Sequence, residues 1–125
     1  MKNGKRREDG AGLCYAFFMF SYQDKTLRRI ARKLRKRFAN RIAAVYAFGS
    51  RVRGDHDAWS DFDVLVSVRD RDPRIEEEIV GIFVEEELRT GLQVTPLVKD
   101  TRALDLERDH NTPFYTNLAA EGVPL

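Results

Sequence analysis

The 125-residue chain holds a single cysteine, Cys14, two histidines, His56 and His110, and four prolines. One cysteine excludes an intramolecular disulfide framework and a cysteine-built structural zinc site. The histidines are too far apart in sequence to form a helical HxxxH pair. No apolar run reaches the ~18 residues of an ordinary transmembrane helix, so no membrane partner is expected. Acid is scarce at the front: residues 1–41 carry 13 Lys/Arg and 3 Asp/Glu, whereas residues 42–125 carry 9 and 17. The net charge of +2 therefore conceals a basic first third and an acidic remainder. With 42% hydrophobic residues at regular spacings, the composition is not that of a disordered chain. The length suits one domain, and a cytoplasmic location is the expectation.

The first residues pose their own question. MKNGKRREDG followed by the apolar AGLCYAFFMF imitates a secretory signal, with a charged front and a short apolar stretch. Glu8 and Asp9 in the charged front, and SYQDKTL with no small-x-small site after Phe20, argue against one. A tail over residues 1–23, disordered or packed on the domain or a partner, is the expectation, with a natural start at Met19 left open. The domain proper is expected over residues 24–125.

Leu27, Ile30, Ala31, Leu34 and Phe38 fall at helical steps and predict a helix from Asp24, its N-cap, to Phe38, with Asn40 as its stop. Its other face is Lys25, Arg28, Arg29, Arg32, Lys33, Arg35, Lys36 and Arg37. Eight cations with no acid among them need water, phosphates or acids from elsewhere. IAAVYAF over residues 42–48 reads as a buried strand, and DFDVLVSV over residues 61–68 as a second. Between them, Gly49 to Gly54 reads as a turn into a short helical piece. Pro73 opens a helix that runs to a C′ glycine, Gly91, with an apolar stripe and a Glu-rich outer face. LQVTPLV over residues 92–98 reads as a third strand, with Pro96 at an edge or bulge. Asp100 or Thr101 caps a short helix to Glu107, and Pro113 opens a last one through Ala120. The fold class is α+β: a small mixed sheet flanked by helices.

The chemistry concentrates in FGSRVRGDHDAWSDFDVLV. Gly49-Ser50 follows a strand, and Asp61 and Asp63 open the next one after ten intervening residues. Alternation along a strand puts both carboxylates on one face, where they repel each other without a cation. A hard divalent ion such as Mg²⁺ answers that repulsion and leaves coordination room for phosphates. Gly49 lets the backbone approach a phosphate, Ser50 offers a hydroxyl, and Arg51 and Arg53 can neutralise phosphate charge. A phosphate-binding P-loop is excluded because neither Gly49 nor Gly54 leads into Lys-Ser/Thr, and no GxGxxG dinucleotide fingerprint occurs.

The GS-x10-DxD pattern resembles the signature of the DNA polymerase beta-like nucleotidyltransferase superfamily. Size and layout over residues 24–123 resemble its minimal nucleotidyltransferases, and VTPLVKD with NTPFYTNLAAEGVPL is similar to their closing strand and helix. The resemblance implies the nucleotidyltransferase fold, Mg²⁺, and transfer of an AMP group from ATP to a hydroxyl. It implies that Gly49 and Ser50 bind the triphosphate and that Asp61 and Asp63 are catalytic metal ligands. Active members usually carry a third carboxylate on the next strand. Here the corresponding positions are Gln93 and Thr95, and an amide cannot act as a base. Either Glu86 or Glu87 could approach instead, but both read as surface-facing on the acidic helix. Members of this group often act with a separate HEPN-domain protein as antitoxin to its toxin, by modifying it or by binding it. A catalytically silent antitoxin module of the same fold is therefore the alternative to an enzyme.

The remaining candidates have plain readings beside functional ones. Lys99 could reach a phosphate or be a surface lysine, and Trp59 could stack on a base or close a loop. His56 and Asp57 could touch substrate. Tyr115 reads as packing or a contact in a homodimer. The basic helix fits an acidic protein surface better than nucleic acid.

Overall fold

The structure, a computed structural model, describes residues 11–48 and 62–125, with side chains from residue 25 onward. Gly49, Ser50, Arg51, Arg53, Gly54, His56, Asp57, Trp59 and Asp61 lie outside the described residues, as do residues 1–10.

Helix α1 spans Ala11–Phe38, strand β1 Ile42–Phe48, strand β2 Phe62–Val68, helix α2 Pro73–Thr90 and strand β3 Val94–Asp100. Helices α3 (Thr101–Asp109) and α4 (Pro113–Glu121) follow, then a two-residue strand β4, Val123–Pro124. The sheet order is β3-β2-β1-β4, with β1 antiparallel to β2 and β4, and β2 parallel to β3. A parallel pair needs a crossover connection, and α2 supplies it. Four helices and a four-stranded mixed sheet are the expected α+β architecture.

The ends of the elements follow their chemistry. Asp72 caps α2 by accepting the Ile75 N–H at 2.9 Å, and Gly91 closes it at a φ of 78°. Asp100, rather than Thr101, caps α3 by accepting the Arg102 N–H at 2.8 Å. Thr112 caps α4 through the Tyr115 N–H. Both carboxyls are held below the usual range, that of Asp72 chiefly by the Ile75 N–H and that of Asp100 chiefly by the Arg71 N–H and then the Arg102 N–H.

Two boundaries differ from the sequence expectation. Helix α1 begins at Ala11, not Asp24, because no proline and no glycine after Gly12 interrupts the segment, so Asp24 lies inside the helix rather than capping it. Strand β3 begins at Val94 rather than Leu92, since the Gln93 carbonyl accepts the Phe62 N–H at 3.3 Å before the ladder starts. Strand β4 has no counterpart in the expectation. Its register sets Ala47 against Val123, and the Leu125 N–H reaches the Val45 carbonyl at 2.9 Å.

Helices α1 and α2 cover one sheet face. Leu27, Ile30, Ala31 and Leu34 of α1 meet Ile75, Ile79 and Phe83 of α2 over Val45, Ala47, Phe62, Val64, Val66 and Val68. Burial of such side chains, at about 1.5–3 kcal/mol each, is the main stabilising term. Helices α3 and α4 cover part of the other face. Arg29, Lys33 and Arg37 of α1 find acids inside the chain. Arg37 pairs with Glu78 at 2.8 Å, and Arg29 and Lys33 reach Glu86 at 3.1 and 2.6 Å. Glu86 is therefore not surface-facing, as its place in a Glu-rich run suggested. It is 1% exposed, because the core stripe of Ile75, Ile79 and Phe83 continues one helical step onto it.

After α1 the chain turns through a short 3₁₀ segment, Ala39–Arg41, and Ala39 rather than Asn40 takes the left-handed position, at a φ of 51°. A Cβ there is strained. Ala39→Gly is expected to raise stability by about 0.5–1 kcal/mol, read as a higher urea midpoint with an unchanged m-value.

Candidate active site

Strand β2 presents Phe62, Val64, Val66 and Val68 to the core, so Asp63, Leu65 and Ser67 belong to the opposite face. Asp63 is half-buried and stands against Phe48 in the antiparallel register with β1. Phe48 is the last residue of β1, immediately before Gly49-Ser50. The register thus brings the launching point of the glycine-serine segment to the start of the strand that carries Asp63.

On the other side, Thr95 of β3 stands opposite Asp63 in the parallel register, and it is exposed. Gln93 is also exposed and precedes the strand. No group of three or more His, Cys, Asp or Glu side chains suited to a metal occurs among the described residues. Glu86 cannot supply a third carboxylate to Asp63. It belongs to α2, on the far side of the sheet, and three cations already occupy it.

The donors that flank the Asp63 position are oxygens: a carboxylate on β2 and a hydroxyl on β3. Such a set suits a hard cation of the Mg²⁺ type and fits poorly to metals that prefer sulfur or imidazole.

Further down the same face, Lys99 is committed. Its ammonium pairs with Glu107 and lies 4.8 Å from the Phe114 ring centroid. Glu107 also accepts the Thr112 hydroxyl at 2.7 Å, and these two donors hold its carboxyl below the usual range. Phe114 in turn meets Phe48 edge to face at 5.8 Å. A chain of contacts therefore runs from α3 and α4 to the last residue before Gly49, and it takes Lys99 as a structural cation rather than a phosphate ligand. Sequence reasoning missed Phe114, which carried no signal beyond its place after Pro113.

Tyr115 lines a cavity of about 330 Å³ between the sheet and helices α3 and α4, beside Tyr46, Ser67, Thr101 and Arg108. Ser67 lies four residues along β2 from Asp63, about 13 Å at strand spacing, so this cavity is separate from the Asp63 end. Among the described residues no helix is long and apolar enough to cross a membrane.

Strand β1, whose last residue immediately precedes Gly49-Ser50 in the chain, thus runs antiparallel to a strand that carries a face-directed aspartate at its start. The chain belongs to the nucleotidyltransferase domain family, whose model matches residues 27–108. Its activity class is accordingly nucleotidyl transfer. A provisionally named protein adenylyltransferase of Methanocaldococcus jannaschii is 25% identical over 100 residues, spanning 80% of this chain and 94% of that protein. The crystal structure of a provisionally named nucleotidyltransferase from Sulfolobus solfataricus covers 99% of this chain and 89% of its own, at 24% identity and a TM-score of 0.47.

Proposed function

We propose that the chain is a Mg²⁺-dependent adenylyltransferase that moves AMP from ATP to a hydroxyl on a separate protein, of the HEPN type that the family resemblance implies. The observation that carries this reading is the pairing of Phe48, the residue immediately before Gly49-Ser50 in the chain, with Asp63 of the DxD pair. The name of the M. jannaschii relative supports a protein acceptor.

In this reading Gly49 and Ser50 hold the triphosphate through backbone N–H groups and the serine hydroxyl, and Arg51 and Arg53 neutralise its charge. Asp61 and Asp63 hold Mg²⁺, which when bound polarises the phosphoryl group and neutralises the phosphates. The acceptor oxygen attacks the α-phosphorus, the bond from that phosphorus to the bridging oxygen breaks, pyrophosphate leaves with the electron pair, and the hydroxyl proton passes to solvent.

A second reading is favoured by Thr95, which stands where an acid would otherwise face Asp63. In it the chain neutralises its partner by binding, without turnover. Incubation of the chain, a co-expressed HEPN-type partner and α-labelled ATP separates the two. Label is expected on the partner, lost on chelation with EDTA and restored by excess Mg²⁺. Partner neutralisation with no label at any Mg²⁺ concentration would establish the binding module instead.

A further inference from the structure

Helices α1 and α2 lie side by side, and their outer faces carry opposite charge. The pairs Arg29–Glu86 and Arg37–Glu78 join ascending positions of α1 to descending positions of α2, so the two helices run antiparallel and their relative height is fixed. On the outside of α1, Arg32 and Lys36 are exposed, and on the outside of α2, Glu77 and Glu85 are exposed. None of these four has an ion-pair partner among the described residues.

Beside the two glutamates, α2 carries Val80, Val84 and Leu88 at successive four-residue steps, 37%, 48% and 82% exposed. Repeated apolar exposure along one helix is the mark of an interaction surface. Gly81 adjoins this stripe with nothing within 4 Å of where its Cβ would stand, so the helix surface is low there. A glycine inside a helix is unfavourable, and close approach of another helix accounts for it.

We infer that this face is self-complementary and joins two copies of the chain, α1 of each lying over α2 of the other. The occupant follows from charge: among the described residues, α1 itself offers cations at matching height. A two-fold axis parallel to the helices keeps each residue at its own height while exchanging α1 and α2. Within one chain Arg37 stands level with Glu78, so Lys36 of one copy comes within two residues' rise, about 3 Å, of Glu77 of the other, inside the reach of a lysine side chain. Arg29 and Lys33 stand level with Glu86, so Arg32 comes level with Glu85. The stems of these cations then cover Val84 and Leu88, as long basic side chains commonly cover apolar surface. Each contact occurs twice, giving four ion pairs around two short apolar seams. An interface rich in exposed charge is salt-sensitive.

The test uses two charge-reversed variants of the full chain, Arg32→Glu with Lys36→Glu, and Glu77→Lys with Glu85→Lys. All four positions are exposed, so both variants are expected to melt close to wild type. Analytical ultracentrifugation at about 50 μM is expected to find wild type dimeric at low salt and dissociating as salt rises. Each variant alone is expected to dimerise roughly a hundredfold more weakly. An equimolar mixture is expected to dimerise again, because both helix pairs of the mixed dimer regain opposite charges. A monomeric wild type overturns the inference, including the case in which another protein or a nucleic acid takes this face. So does a mixture that stays monomeric, or a variant that dimerises as wild type does.

Discussion

Asp63→Asn is expected to lower the rate of AMP transfer about a thousandfold. Loss of a hydrogen-bond partner one shell outside a metal lowers affinity or activity by about 10–100-fold, and loss of a charged direct ligand exceeds that. Asn keeps the shape and one oxygen of the side chain but removes the charge. The position is well anchored: Phe62 and Val64, its chain neighbours, are 1% and 0% exposed, and the backbone pairs with Phe48 on one side and Thr95 on the other. Asn is therefore expected to occupy the same place. The measurement is the transfer rate against Mg²⁺ concentration, with a thermal melt as the folding control. A weaker apparent Mg²⁺ affinity accompanying the lower rate marks loss of a ligand. A folded Asp63→Asn protein that transfers at the wild-type rate would remove Asp63 from the metal site. Asp61→Asn is expected to behave alike, as its partner in the DxD pair.

The second large effect concerns Glu86, which lies across the sheet from Asp63. Burial alone would raise its carboxyl pKa. Hydrogen bonds from Lys33, Arg89 and Arg29 outweigh that penalty and lower it from 4.5 to about 2. A folded-state pKa below the unfolded one means that the unfolded chain binds the extra proton. The stabilisation is thus complete above pH 4.5 and is lost as pH falls toward about 2. A shift of this size corresponds to about 3 kcal/mol of pH-dependent stability.

Glu86→Ala removes the shared acceptor and leaves three cations facing one another. Breaking a fully buried pair is unfavourable by about 3–5 kcal/mol. The cations here are 33%, 43% and 55% exposed and reach water, so the expected loss is smaller, about 2–4 kcal/mol. Glu86→Gln tests the pH argument separately. Urea midpoints measured from pH 7 down to pH 2.5 should fall more gently for Glu86→Gln than for wild type. Parallel curves would mean that another carboxylate governs the acid limb.

What could be read from the residues was local. IAAVYAF gave the bounds of β1 because a short apolar run ended at a glycine. Pro73 and Gly91 marked the ends of α2 because one fits the first helical position and the other the left-handed one. The DxD strand was legible because alternation fixes side-chain direction, and the described structure puts Asp63 on the face that this demands. Long-range relations were not legible. Glu86 sits in a run of glutamates, and only the approach of α1 with Arg29 and Lys33 makes its burial favourable. Its position three residues after Phe83 continues the apolar stripe, but a buried glutamate is unfavourable without partners, and those partners lie on another helix. Strand β4 is two residues long, too short for any periodicity, and exists only because β1 offers it an edge. The role of Lys99 depended on Glu107 and Phe114, one helix later.

The two margins of the sheet bear on how this molecule can meet others. One margin is β3, where Pro96 stands in mid-strand and offers no N–H to a newcomer. The other is β4, two residues long and ending in Pro124. An incoming strand finds no continuous row of donors and acceptors at either side, so growth of the sheet by strand addition, in a complex or in an aggregate, is disfavoured. Recognition of the protein acceptor proposed above would then fall to side chains, on the helices or on the face that carries Asp63. A partner's recognition element should accordingly be a folded surface or a helix rather than an extended peptide.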